Sequence, residues 1–180
     1  DPTKGYAIFA ENMITTALCI ALGLVLPSAF HLVGAGSVFL PMHIPVLLCG
    51  LLCGWQYGAV CGGIVPLLSS VVTGMPPIFP TAPAMMLELC AYGCLTGLLY
   101  RQLRCPLYPA LLGAMLGGRV VSGLANALFL GLAGQPYGIT MFLTAAFVTG
   151  LPGIAIQILF VPLFVLALQK AGFFPRPAGR

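Results

Sequence analysis

Glu88 and Arg119 are ionisable side chains set inside long apolar stretches, "APAMMLELCAYG" and "LGGRVVSGLAN". A lone arginine in the middle of a lipid-facing helix costs at least ~2.5 kcal/mol, so each group must face the protein interior and find partners. Buried ionisable groups in such surroundings usually serve a solute or ion; the structural alternative is a pair that only holds helices together. Their neighbours extend the chemistry. Met85, Glu88 and Tyr92 share a helix face at i, i+3 and i+7, and Ser122, Gly123 and Asn126 continue the Arg119 stripe at i+3, i+4 and i+7. At ~1.5 Å of rise per residue, Glu88 lies roughly 6 Å below the outer end of its helix, Asn126 at about the same level and Arg119 roughly 10 Å deeper. On that estimate Glu88 and Asn126 touch one small solute above an Arg119 floor, and a direct Glu88–Arg119 ion pair requires both side chains to stretch. Gly117 and Gly118, beside Arg119, admit the close approach of another backbone.

Other candidates lie nearer the ends of the apolar runs. His43, between Pro41 and Pro45, is either a solute contact or loop latch, or an interfacial histidine capping a helix; His31 reads as interfacial. Phe39, Phe79 and Tyr137 fall in loops and either stack on a flat solute or belong to an interfacial aromatic belt. Ser69, Ser70 and Thr73 either line a cavity or bond back to their own helix. Cys19, Cys49, Cys53, Cys61, Cys90 and Cys94 lie inside apolar runs without an obvious set of further ligands, and read as small packing residues rather than a metal site or disulfide framework.

The elements that must position these residues follow from composition. The 180 residues are 60% hydrophobic and 6% charged, with a mean hydropathy of +1.08. A water-soluble domain needs roughly 25% charged residues, so lipid is the main solvent of this chain. The expected fold is all-α: an integral membrane bundle forming one transmembrane domain over 1–180. Apolar runs and Pro/Gly joints place six spans at about residues 14–30, 45–54, 59–72, 84–99, 109–132 and 139–168. Taking 45–72 as two short spans broken at "GWQYG" puts Lys4, Arg101, Arg104, Lys170, Arg176 and Arg180 on one side. Both termini are then cytoplasmic, and the three Pro-, Gly- and aromatic-rich loops face outward. Spans this short leave space at one end, and non-helical backbone at that depth must line a covered cavity. An outer-side cavity is therefore expected beneath the loops. The first apolar run has no small-residue cleavage pattern after it, so a signal peptide is not expected.

The net charge of +4 is read as topology signal rather than as a nucleic-acid footprint. No Walker-type GxxxxGK[ST], HExxH, GxSxG or pair of intramembrane acids is present, so neither ATP use by a P-loop nor enzymatic activity is expected. Ala17 and Ala21, at i and i+4 in "TTALCIALG", form a small-xxx-small face. From spacing alone this reads as internal packing, because Gly50/Gly54, Gly93/Gly97 and Gly113/Gly117 repeat the pattern.

Six short spans, the Ala17-xxx-Ala21 helix and the segments "FLPMHIPVLL", "TGMPPIFPTAPAMMLELCAYG" and "GGRVVSGLANALF" together resemble the substrate-binding S components of energy-coupling factor (ECF) vitamin transporters, over about residues 12–170. The resemblance implies a multi-pass protein of the cell membrane that captures a vitamin at an outer-side pocket. It implies partners too: a transmembrane coupling subunit and two cytoplasmic ATPases, which use the ATP, so that this chain needs no cofactor of its own. Ala17 and Ala21 become the docking face for the coupling subunit. His43, Ser70, Phe79, Met85, Glu88, Tyr92, Arg119, Asn126 and Tyr137 become the candidate substrate-binding residues. Trp55 is the single tryptophan and lies at an inner turn, which disfavours a tryptophan-rich pocket of the thiamine type. "PMHIP" replaces the acidic segment associated with riboflavin binders. The chain looks nearer the pantothenate or cobalamin members; pantothenate is an anion whose carboxylate Arg119 could meet, with Glu88 arguing partly against it. A proton-coupled secondary transporter using Glu88, and a membrane scaffold that binds no solute, are the competing expectations.

Overall fold

The computed structural model describes residues 2–32, 43–74, 81–104, 106–132, 134, 138–144 and 151–170. All regular structure among them is helical. The helices are α1 (Pro2–Leu32), α2 (His43–Cys53), α3 (Trp55–Thr73), α4 (Thr81–Gly97), continued by a π-helical turn at Leu98–Gln102, α5 (Leu107–Leu132), the short α6 (Ile139–Leu143) and α7 (Leu151–Lys170). Four segments are long and apolar enough to cross a membrane: Pro2–Leu26, Trp55–Val72, Ala82–Gln102 and Leu107–Leu132. His43–Cys53 and Ile154–Ala167 are shorter apolar helices. Helices suit this composition because they satisfy every backbone N–H and C=O internally, without water.

α2 is the axis of the bundle. Every residue from His43 to Leu51 is buried, and α1, α3, α4 and α7 all pack on it. At 11 residues it rises only ~16 Å, about half the hydrocarbon thickness. It ends at Gly54, whose φ of 105° lies in the region that favours glycine. There the chain doubles back. Gly50 and Gly58 end up against each other and against the Gly93 carbonyl, so residues 43–73 form two helices rather than one long one. The Arg101 guanidinium donates to the Leu52 carbonyl, satisfying an acceptor at the end of α2.

α3 passes through Pro66 and stops at Gly74, which takes a left-handed conformation and donates its N–H to the Ser70 carbonyl at 3.0 Å. α3 and α4 then touch along their backbones. A Cβ on Gly62 would strike the Leu89 carbonyl, one on Gly93 the Gly58 carbonyl, and one on Gly97 the Trp55 amide. α4 meets α5 differently. Gly113, Gly117 and Gly118 of α5 receive the side chains of Leu99, Leu95 and Tyr92 rather than a facing backbone, which corrects the expectation of backbone approach at Gly117 and Gly118.

The thiols of Cys19, Cys49, Cys53 and Cys61 are free and buried in the core where α1, α2 and α3 meet. Cys49 Sγ lies 3.6 Å from Thr16 Oγ1, and Cys53 Sγ 3.8 Å from the Asn12 carbonyl. The outward face of α5 carries Leu112, Leu116, Val120, Leu124 and Leu128, all exposed and four residues apart. α1 likewise exposes Ile14, Leu18, Leu22 and Val25 while burying Thr16, Cys19 and Gly23. Such large apolar faces mark surfaces for lipid or for other membrane helices.

Candidate functional site

The register of α4 against α5 builds the site. The Tyr92 ring packs directly over Gly118, where a Cβ would come within 2.9 Å of three ring atoms. The helices run antiparallel here, with Leu95 on Gly117 and Leu99 on Gly113. One turn back along α4 from Tyr92 is Glu88. One turn forward along α5 from Gly118 is Ser122, which lies close enough to the Glu88 carboxylate to interact with it. Arg119 sits between those two levels. Its Nη1 donates to Glu88 Oε1 at 3.3 Å, so the two charges form a direct buried pair. The axial estimate from helix ends set Glu88 level with Asn126, one turn too far along α5. Rise along two helices gives relative depth only when their ends are level, and the side-chain-into-glycine packing fixes another register.

α2 supplies the third member. His43 opens this helix, and its Nε2 lies 3.2 Å from the same Glu88 Oε1. With Glu88 as carboxylate, Nε2 is the donor. The His43 ring stands edge-on to Tyr92, with centroids 4.9 Å apart and planes at 88°, a favourable aromatic geometry. Gly118 admits Tyr92, Tyr92 supports the His43 ring, and His43 and Arg119 converge on one carboxylate oxygen. All four side chains are less than a tenth exposed. Removing one member of a buried pair leaves an uncompensated charge at a cost of roughly 3–5 kcal/mol, so Glu88 and Arg119 hold one another in place.

The cluster is not saturated. Among the described residues, His43 Nδ1, Tyr92 Oη, and Arg119 Nε and Nη2 have no hydrogen-bond partner. Buried polar atoms are normally satisfied, so unsatisfied ones call for an explanation such as an unseen ligand.

The other expected residues divide. Asn126 is half-buried and donates to Ser122 Oγ at 3.3 Å within its own helix, one turn from the pair. Met85 is half-buried against the core, and Ser70 is buried near the end of α3. Phe79 and Tyr137, with Phe39, lie outside the described residues, as do the side chains of His31 and Thr73. Ala17 and Ala21 are both exposed, on the face of α1 turned away from the bundle.

Sequence reasoning passed over Gln157. This amide is fully buried in α7, a helix packed on α2 and α5, and neither its Nε2 nor its Oε1 has a partner among the described residues. The signal was available: one amide in the apolar run "GIAIQILFVPLFVLAL". A cleft of about 250 Å³ lies between α5 and the start of α6, lined by Val120, Gly123, Leu124, Ala127, Gly138, Ile139 and Phe142. It is apolar, and none of the polar cluster lines it.

Comparison with known families matches residues 11–165 to the model described as "ECF transporter, substrate-specific component". No curated protein and no solved structure matches the chain.

Proposed function

Because the chain belongs to the substrate-specific components of ECF transporters, a family of non-enzymatic transporter subunits, we propose that it captures a vitamin or related micronutrient for import across the cell membrane. Members of this family bind a small molecule and work with an energising ECF module. Here the partners would be a transmembrane coupling subunit, docked on the exposed Ala17/Ala21 face, and two ATPases. ATP is then hydrolysed outside this chain, which carries no cofactor. The bundle crosses the membrane six times, with both termini cytoplasmic and the solute held on the outer side. Pantothenate- or cobalamin-type vitamins are the favoured cargo.

The observation that carries this reading is the buried His43–Glu88–Tyr92–Arg119 cluster with its unpaired polar atoms. A pair kept only for architecture gains nothing from donors left without a partner, because each unsatisfied buried group costs about 1–3 kcal/mol. A solute that supplies the missing partners recovers that cost on binding. Asn126, Ser70, Met85, Phe79 and Tyr137 are proposed as further contacts around it.

Native mass spectrometry of the purified chain tests the proposal: a co-purified vitamin is the expected result. Equilibrium binding across a vitamin panel with no saturable ligand would instead leave a scaffold. Uptake into proteoliposomes separates the remaining rival. It should require the ATPase partners, and uptake driven by a proton gradient alone would make the protein a secondary transporter using Glu88.

A further inference from the structure

We infer that the solute carries a carboxylate, and that this carboxylate docks on the Nε/Nη2 edge of Arg119. The inference rests on the reading of the cluster as a solute site and names the chemistry of its cargo.

A guanidinium is a planar fork of five N–H donors. Glu88 makes a single-point contact with it, through Nη1. The donors left over, Nε and Nη2, are the pair on the opposite edge; both are buried and unpartnered among the described residues. Two parallel N–H groups on one edge match the two oxygens of a carboxylate, the bidentate geometry that sets arginine apart from lysine. A neutral carbonyl offers this edge one oxygen and no charge. A cation would be repelled by it.

Among the described residues, no acidic side chain supplies that carboxylate. The chain's acidic side chains are Asp1, Glu11 and Glu88. None belongs to the segments 33–42, 75–80, 145–150 or 171–180, and Glu11 is exposed on α1.

Glu88 does not block an anion here. Its Oε1 is shared between Arg119 and His43, so two donors already face its charge. Its role in this arrangement is positioning: it holds the guanidinium plane by Nη1 and leaves the far edge without a partner among the described residues. A phosphate dianion would add two negative charges beside Glu88, where a carboxylate adds one. A monoanionic carboxylate fits better.

The test uses the full chain in nanodiscs and matched acid/neutral pairs: pantothenate with panthenol, biotin with its primary amide, and nicotinate with nicotinamide. Cobalamin, thiamine and pyridoxal phosphate complete the panel. One acid should bind saturably, and its neutral counterpart roughly 10- to 100-fold more weakly, the worth of a charged hydrogen-bonded pair. Arg119→Lys keeps the charge beside Glu88 but removes the two-donor edge, and should abolish most of that preference. Glu88→Gln keeps an acceptor for Nη1 and removes the competing charge, so acid binding should persist or tighten. Equal binding of acid and neutral partners overturns the inference, as does tight binding of only a neutral, cationic or phosphorylated member; each outcome leaves the solute-binding reading standing. No saturable binding by any member removes that reading and the inference with it. The acid-to-neutral comparison is made on the unmodified chain, so it decides the matter even if a variant fails to fold.

Discussion

Two seams meet on α4, and both use glycine, to different ends. Toward α3, glycines 58, 62, 93 and 97 bring backbone against backbone, and a Cβ at any of them would meet main-chain atoms. Toward α5, Gly113, Gly117 and Gly118 are notches that receive the side chains of Leu99, Leu95 and Tyr92. The first seam contains none of the charged groups. The second places Glu88 beside Arg119, and α2 adds His43 to them. Backbone contact is stiff and non-specific; it sets the distance between helices. A notch that accepts one side chain sets register, and register decides which polar groups meet. Architecture and chemistry are thus divided between the two faces of one helix.

Gly93→Leu should have the largest effect. Its side chain would be driven into the Gly58 backbone, which cannot rotate away. Loss of the folded monomer on size exclusion, with a collapsed thermal transition, is expected; a variant that still elutes and melts like the parent would refute the rigid account of this seam.

Ala17→Leu and Ala21→Leu examine a third use of small residues, on a face that none of the described residues covers. Both alanines are exposed, so the added bulk should leave folding and solute binding intact. Co-purification of the coupling subunit and ATPases should fall by an order of magnitude or more. Undiminished recovery of the complex would show that the coupling subunit docks elsewhere.

Gly118→Ala probes the notch. The new methyl would lie 2.9 Å from the Tyr92 ring, which must shift and carry His43 with it. Overpacking of this kind costs about 1–3 kcal/mol. A lower melting temperature and severalfold weaker solute binding are expected together. Were binding unaffected while stability fell, Tyr92 would be packing alone, outside the solute site.

Gly5→Ala is the control. Nothing lies within 4 Å of a Cβ there, in the first turns of α1. Helix propensity favours alanine by up to ~1 kcal/mol, so the melting temperature should hold or rise slightly. A marked loss would mean that this end of α1 is covered by something other than the described residues.

Much of the candidate site was legible as residue types. Glu88 and Arg119 stand out because an ionisable group in an apolar run is expensive. Gln157 carried a weaker form of the same signal and was passed over. The spacing of Ala17 and Ala21 equals that of Gly93 and Gly97, yet one pair is exposed and the other is pressed on backbone. A small-xxx-small pattern records that close approach is allowed and says nothing of what approaches. The Glu88–Arg119 contact was discounted because levels were counted from helix ends, whereas Tyr92 in the Gly118 notch sets them.

By itself, then, the sequence determined that this chain is helical, that it belongs in lipid, and which few side chains are costly there. Those properties follow from composition and short-range periodicity, which each segment carries alone. Only the tertiary structure decided that His43, 45 positions before Glu88, shares its carboxylate oxygen with Arg119. It also decided that the far edge of the guanidinium has no partner among the described residues. The physical reason is that both depend on how helices slide and cross, and that is set by which side chain fills which notch.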